Sequence, residues 1–572
     1  VRGYGLVVGL NGTGSREGDP RVRNFMLEEM RRRGVGSNRD GWSGMTPEQL
    51  LDSSDTSIVI VEGVIPPASV GRLALQREHA PSSGRPSERL GLRGTQFDVR
   101  VYADPRSGTT SIEGGRLYTS ELRPGQLSAS SRQSFPLAEA YGQVYVNPFA
   151  EPGGGTRDTI NRTTGRILNG GEVLEDMPLK LRLARPSHTR AAAVVTAVNA
   201  RFVQEPGQRD PTARGESDET IEVAVPPSYR DRTLEFVELL RHTSLYSRGQ
   251  EALAISIKRT VEANPAMWES ASWRWQAMGK KVLPAIRDLY DSADERPRRA
   301  ALRAGARLND ALVVPHVISM AEASSRTARL EAIELLGDMG IFPRVDRALR
   351  GLLNDPDVEV RLAAYEASVD RRDPFLNRIP VADKFVLDLI ESDYPMIYIT
   401  QRSQPRIAVF SPSMEIVRPL TANAWSNRLI IKEYGTSELE IYYRRQDSNN
   451  GYVEHINANV PELIQFFGHE PSPDSPRSGL GLTYGEVVGA LHAIWKQKYL
   501  TADFKTERDR ILRAIMDRET NTEIRQRPLF ESNPDGDPML DDERFIAPPL
   551  LDGMQGSVPT DVDPRGDLEP RQ

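Results

Sequence analysis

Cysteine is absent from all 572 residues, which excludes disulfide frameworks, thiolate–zinc sites and cysteine nucleophiles. That absence suits oxidising and reducing compartments alike. No run approaches the roughly 18–20 apolar residues of a membrane-spanning helix, so the chain is expected not to span a membrane. An excess of basic charge is also missing. The 73 Lys and Arg face 80 Asp and Glu, a net charge of −7, which argues against a general nucleic-acid binder. Histidine is scarce, and its seven copies (His79, His188, His242, His316, His455, His469, His492) include no pair at i, i+4. His469-Glu470 therefore lacks the second histidine of a metalloprotease helix. There is no Gly-x-Ser-x-Gly elbow, and no carboxylate pair is singled out for acid–base work. The residues point to no catalytic group, no metal site and no cofactor.

What is present reads as several soluble domains. The chain is 38% hydrophobic and 27% charged, ordinary values for globular proteins, and it is longer than one core usually serves. Residue 1 is a Val already inside a strand-like run, so the numbering is expected to begin within a longer precursor whose signal segment is not seen. From Val1 to about residue 247 the texture is α+β. Leu6-Val7-Val8, Ile58 to Val61, Phe97 to Tyr102 and Ile221 to Val225 read as strands. Helices are predicted near Phe25 to Met30 with a stop at Gly34, from Ala191 to Phe202, and from Leu234 to Leu240. Loops are expected between Ala80 and Arg93 and between Glu151 and Thr164.

Residues 248–378 change character and become rich in Ala, Leu, Arg and Glu. Arg298-Arg299-Ala300-Ala301, Arg329-Leu330-Glu331-Ala332 and Arg361-Leu362-Ala363-Ala364 recur at spacings of 31 and 32 residues. Such a period marks stacked helical hairpins, which bury their apolar faces only against one another. The Asn354-Asp355-Pro356-Asp357 opening of the third unit resembles HEAT-like repeats. An irregular helical bundle is the plainer alternative. Arg298, Arg299 and Arg303 form a basic cluster that is a candidate repeat-surface binding site, although solvated faces explain such clusters more often. A smaller α+β module follows over 379–527. Its strands are predicted from about Tyr394 to Tyr443, its helices over Pro461 to Gly468 and from Tyr484 to about Met516. Residues 528–572 read as a disordered, acidic, Pro-rich tail.

The glycines Gly3, Gly5, Gly9, Gly12 and Gly14 approximate a nucleotide loop, but the strand Leu6-Val7-Val8 occupies the place of its turn. No Lys follows the last Gly. The stretch Val1-Arg2-Gly3-Tyr4-Gly5-Leu6-Val7-Val8-Gly9-Leu10-Asn11-Gly12-Thr13-Gly14 instead resembles the opening of the bacterial flagellar basal-body P-ring protein family. The likeness continues in order. Ser57 to Ile60 with Val64-Ile65-Pro66-Pro67 is similar to the family's strand and double-proline turn. Phe97 to Val101 and Thr110 to Leu117, with Gly114-Gly115, resemble its strand and Gly-Gly segment. Gly142 to Tyr145 looks like its next strand. Gly165-Arg166-Ile167-Leu168-Asn169-Gly170-Gly171 resembles its Gly-Arg-Ile-x-Asn-Gly signature. Ala197-Val198-Asn199, then Ile221 to Pro226 and Leu234 to Leu240, complete the series. Extra residues between Gly71 and Gly94, and repeats where the family continues into a β-rich module, mark a divergent member. Pro405 to Tyr443 with Glu486 to Met516 resembles that displaced module, which would make the repeats an insertion.

The resemblance implies a structural, non-enzymatic protein of the periplasm and the flagellar basal body. It implies a homo-oligomeric ring around the rod, with rod and outer-membrane ring proteins as partners and peptidoglycan as a further one. Gly5, Gly9, Gly12, Gly14, Pro66, Pro67, Gly114, Gly115, Gly165, Arg166, Asn169 and Gly170 would carry family packing, between subunits or within one. Two readings compete with the ring. One is an envelope adaptor that recognises a protein partner through its repeats. The other is an enzyme acting on envelope glycans through scattered carboxylates.

Overall fold

In the computed structural model the described residues are 1–35, 46–72, 94–127, 134–149, 160–206, 208, 210–245, 249–425, 427–445, 451–473 and 475–507. The loops expected at 80–93 and within 151–159, the C-terminal end of the last predicted helix and the 528–572 tail lie outside them. The chain divides into two compact units, Leu179–Gln250 and the rest of the described residues.

In the larger unit, β1 (Arg2–Val8), β2 (Thr56–Gly63), β3 (Gln96–Ala103), β4 (Arg116–Leu122), β5 (Ala138–Gln143) and β6 (Thr164–Val173) close into a barrel of order β1-β2-β3-β6-β5-β4. Strand alternation fills it with small β-branched side chains. Val7, Val59, Val61, Val99, Val101, Leu117 and Ile167 are buried inside, while Leu6, Val8 and Ile58 point outward. Those outward residues are covered by α1 (Pro20–Arg32) and α2 (Pro47–Leu51) through Val22, Met26, Met30, Leu50 and Leu51. Helix α1 starts where Asp19 caps it, with Pro20 at its first position. Gly34 just beyond takes φ +77°, so the predicted stop is the observed one. β5 ends at Gln143, so the strand expected over Gly142 to Tyr145 lies earlier in the chain, and Tyr145 pairs only through a single bridge to Arg166.

The smaller unit joins β7 (Leu179–Arg182), β8 (Ala213–Gly215) and β9 (Thr220–Val223) in the order β7-β9-β8. Its helices α3 (His188–Arg201) and α4 (Thr233–Arg241) coincide with the predicted ones. Phe202, Tyr229 and Phe236 pack edge to face or tilted, with ring centroids 4.9–5.8 Å apart.

The larger unit resumes as helices α5 (Gln250–Ala263), α6 (Trp268–Met278), α7 (Leu283–Ile286), α8 (Glu295–Arg307), α9 (Val314–Ala321), α10 (Arg326–Asp338), α11 (Pro343–Leu352) and α12 (Val358–Asp370). The three sequence motifs begin α8, α10 and α12 at matching turns. These helices share one core, from Ala254 and Trp275 through Leu302 and Val317 to Leu336 and Val345. The irregular-bundle alternative falls, since α8, α10 and α12, each opened by the same motif, pack one against the next. The last helix closes the stack differently: Leu362 and Tyr365 of α12 pack on Ile390, Met396, Tyr398 and Phe410 of a sheet. A repeat end needs such a cover because it has no further repeat to bury it.

That sheet runs β10 (Asn377–Val381), β11 (Phe385–Ile390), β13 (Arg406–Phe410), β12 (Met396–Ile399) and β18 (Asp503–Thr506) in spatial order. A second sheet runs β14 (Thr421–Ala424), β15 (Leu429–Tyr434), β16 (Glu438–Arg444) and β17 (Gly451–Asn457). Helices α13 (Val460–Gly468) and α14 (Tyr484–Lys496) complete the module. Two expectations change here. Strands return at Asn377 rather than Tyr394. Pro380 obscured the first, and it is tolerated because β10 is an edge strand. The helix begun at Tyr484 ends at Lys496, because Lys498 takes a left-handed φ of 64° while its N–H and that of Tyr499 turn back to the carbonyls of Trp495 and Ile494. The chain then forms β18 instead of running on as helix toward Met516.

Candidate interaction surface

The motif residues lie in barrel strands β1 and β6 and in the turns that join the strands. Gly5 lies in β1 where a Cβ would sit 2.7 Å from Leu117 and 3.1 Å from Val61. Gly14 lies against the carbonyls of Ser54 and Thr56, Gly115 against Val7 and Leu10, and Gly170 against Ile167. Gly165 would meet Val144 at 2.7 Å. At each of these positions a side chain would collide with the barrel's own atoms. Gly9, Gly12 and Gly114 serve differently: each has a positive φ (78°, 83° and 75°) and open space around it. Pro66 and Pro67 follow β2, and the Ser69 hydroxyl donates to the Pro66 carbonyl at 2.6 Å. Arg166 is exposed on β6, exchanging backbone hydrogen bonds with Tyr145. Asn169 sits at a β6 irregularity with φ 51°, its N–H donating to Asp98 at 2.8 Å.

Where β1 meets β4 the ladder is short. Val7 and Val8 pair with Leu117 and Arg116, a bridge joins Arg2 to Arg123, and between them the Ser120 hydroxyl donates to the Tyr4 carbonyl at 2.7 Å. A cavity of about 220 Å³ opens over this seam, lined by Tyr4, Phe25, Met26, Glu29, Ser120 and Glu121 among others. Two of its lining carboxylates, Glu29 and Glu121, belong to an ion network that extends beyond the cavity. Glu29 accepts from Arg32 at 2.7 Å and Arg33 at 3.0 Å, Arg32 also reaches Glu121 at 2.8 Å, and Arg72 joins Glu139 and Glu172 at 2.8 and 3.0 Å. Burial pushes the Glu29 carboxyl up, but the two guanidiniums hold it below its ordinary range. Sequence reasoning missed this network, whose partners lie up to 100 residues apart.

The repeat arginines divide. Arg299 and Arg303 share the solvent stripe of α8, one over Trp268 at 4.5 Å and the other over Trp273 at 5.3 Å. Arg299 also pairs with Glu331 of α10 at 2.5 Å, and Arg307 pairs with Asp338 at 2.7 Å. Burial pushes the Glu331 carboxyl up despite Arg299. Arg298 stands about 100° away around the helix and does not join the stripe. The structure therefore ties Arg299 into a contact between repeats. Among the described residues no group of three or more His, Asp or Glu could hold a metal ion, and no helix is long and apolar enough to cross a membrane.

Residues 89–261 match the family described as flagellar P-ring protein. The N-terminal part of the chain is similar to flagellar P-ring proteins. It is 26% identical to that of Geobacter sulfurreducens over 244 residues, covering 41% of this chain and 54% of the relative. It is 28% identical to that of Geobacter metallireducens over 248 residues, with the same coverage. To that of Gluconobacter oxydans it is 29% identical over 209 residues, covering 35% of this chain and 45% of the relative. The chain thus spans about half the length of the P-ring proteins it matches. A second family, HEAT repeats, matches residues 279–369, the stack of α7 to α12.

Proposed function

We propose that the protein is a structural component that assembles with copies of itself into a periplasmic ring around the flagellar rod, as its P-ring resemblance implies. The observation that carries this reading is that the P-ring-like motifs from Val1 to Gly171 fall on the strands and connecting turns of one closed barrel, while those from Ala197 to Leu240 build the smaller unit that follows it. Its division into a P-ring-like region (1–247), repeats (248–378), a C-terminal module (379–527) and an acidic tail (528–572) gives each part a separate task. The barrel region supplies the ring body, and the repeats supply a surface that standard P-ring proteins lack. Rod proteins, outer-membrane ring proteins and peptidoglycan are the partners, and no cofactor takes part. Head-to-tail contacts close into a ring when the rotation between subunits permits it. Negative-stain microscopy of envelopes and sedimentation of the purified chain test the proposal. Rings of one subunit type are expected; a monomer at high concentration and normal swimming after deletion would overturn it.

The repeat stack also favours the adaptor reading, in which a protein partner is captured without any ring. Retention of that partner by the intact chain in a strictly monomeric state would select it.

A further inference from the structure

Helices α6, α8, α10 and α12 pack side by side, and each neighbouring pair is joined through one returning helix. Every turn that follows them therefore lies on the same edge of the stack. Side-chain contacts tie these turns together. The Gly340 N–H donates to Asn309 at 2.5 Å, the Arg371 guanidinium donates to the carbonyls of Leu336 and Gly340 at 3.1 and 3.0 Å, and Arg350 lies 4.0 Å over the Phe375 ring. At the tips of three successive turns stand Leu312, Ile341 and Phe375, exposed to 56%, 93% and 73%. Folding gains little from side chains so placed.

The charge on this edge is one-sided. Lys280 and Lys281 occupy the first turn, Arg344 and Arg347 the solvent face of α11, and Arg372 the last turn, all exposed. No ion pair is recorded for these five among the described residues. The carboxylates of the same turns are already engaged: Asp310 by Arg287 at 2.9 Å, Asp346 by Arg371 at 2.7 Å and Asp373 by Arg350 at 2.8 Å. The edge therefore presents free cations between protruding apolar tips.

We infer that this edge binds an anionic lipid surface. Apolar tips that protrude singly suit a medium that yields around each of them, as the headgroup boundary of a bilayer does. The interspersed Lys and Arg supply the attraction to negative headgroups. The contact is peripheral and does not depend on whether the chain forms rings.

The full-length chain should sediment with vesicles of phosphatidylcholine containing phosphatidylglycerol and not with phosphatidylcholine alone, and added salt should release it. Replacing Arg344→Glu with Arg347→Glu should weaken binding about tenfold or more, and Ile341→Ser with Phe375→Ser should weaken it comparably. All four positions are on the surface, so thermal melting of the Arg344/Arg347 variant should match the parent, and the Ile341/Phe375 variant should lose only the small Arg350–Phe375 contact. The proposal is overturned by failure to bind either vesicle. It is equally overturned by binding that both double variants retain, or by variants that lose only the capture of an acidic protein.

Discussion

Individual residues in the barrel wall separate two uses of glycine that look alike in sequence. Gly9 has a left-handed backbone and empty space, whereas Gly14 has an approach so close that a methyl group would strike the Thr56 carbonyl. Gly9→Ala should cost about 1–2 kcal/mol, the penalty of the left-handed conformation. Gly14→Ala should cost more, because backbone must move as well as side chains, adding roughly 1–3 kcal/mol of overpacking. Chemical denaturation of the two variants should show that order, and equal losses would contradict the packing account. Asp388 offers a second test. It is fully buried on β11, where it accepts from Tyr365 at 2.5 Å and faces Arg378 at 3.5 Å. Burial raises its carboxyl above the ordinary 3.8 despite these partners. A raised folded-state value means that the contribution to stability is full below about pH 4 and is lost as pH rises through the folded value. Asp388→Asn keeps the Tyr365 hydrogen bond and removes the titration. The melting temperature of the variant should therefore fall less than the parent's between pH 4 and 7, and parallel curves would refute the assignment.

Elements were legible where their period was strong and their ends carried ordinary signals. The repeat helices could be aligned from Arg298, Arg329 and Arg361 because each motif opens an equivalent helix, and α1 ended at the glycine that marked its stop. The last helix was overrun because its stop is written with Lys498, a residue that seldom takes a left-handed backbone. β10 escaped notice because proline lowers a strand reading, and only the strand order of the folded sheet reveals it as an edge. The ion network under α1 was invisible for a different reason: barrel closure, not sequence proximity, brings Arg72 to Glu172. These cases share a cause, since local patterns report helices and strands while tertiary context decides their ends and their partners. The stop at Lys498 is directly testable. Lys498→Gly should raise stability by about 0.5–1 kcal/mol by relieving the backbone at an exposed cap. A higher melting temperature checks it, and a lower one would show that the lysine side chain does more than the conformation costs.

At the scale of the larger unit, the repeats lie in sequence between two parts that nevertheless share packing. Tyr145, just beyond the barrel strand β5, packs tilted against Tyr484 of α14 at 5.5 Å, and Phe149 meets His492 and Phe504 at 4.6 and 6.1 Å. Gln401 reaches the Tyr145 hydroxyl at 3.4 Å, and the Ser403 N–H donates to Asp98 of β3 at 3.1 Å. Burial pushes the Tyr145 hydroxyl up to about 12, so it stays neutral throughout the physiological range while it accepts from the Gln401 amide. This arrangement is what an insertion would leave behind: barrel and C-terminal module joined directly, with the helical stack carried from the same body. Tyr484 is the centre of that joint. It is buried, its hydroxyl donates to the Thr400 carbonyl at 2.6 Å and the Arg406 carbonyl at 3.0 Å, and its ring also lies 5.7 Å from Phe385. Tyr484→Phe removes the hydroxyl alone and should cost about 1 kcal/mol, since the Thr400 carbonyl loses its phenolic donor while the Arg406 carbonyl keeps the Thr400 N–H at 3.1 Å. Tyr484→Ala removes the ring as well and should cost about 3–5 kcal/mol. If the joint makes barrel and module one cooperative body, the alanine variant should melt in two steps and yield a protease-resistant barrel fragment, while the phenylalanine variant still melts in one. A single transition in the alanine variant, merely shifted downward, would show instead that cooperativity between the two parts does not run through Tyr145 and Tyr484.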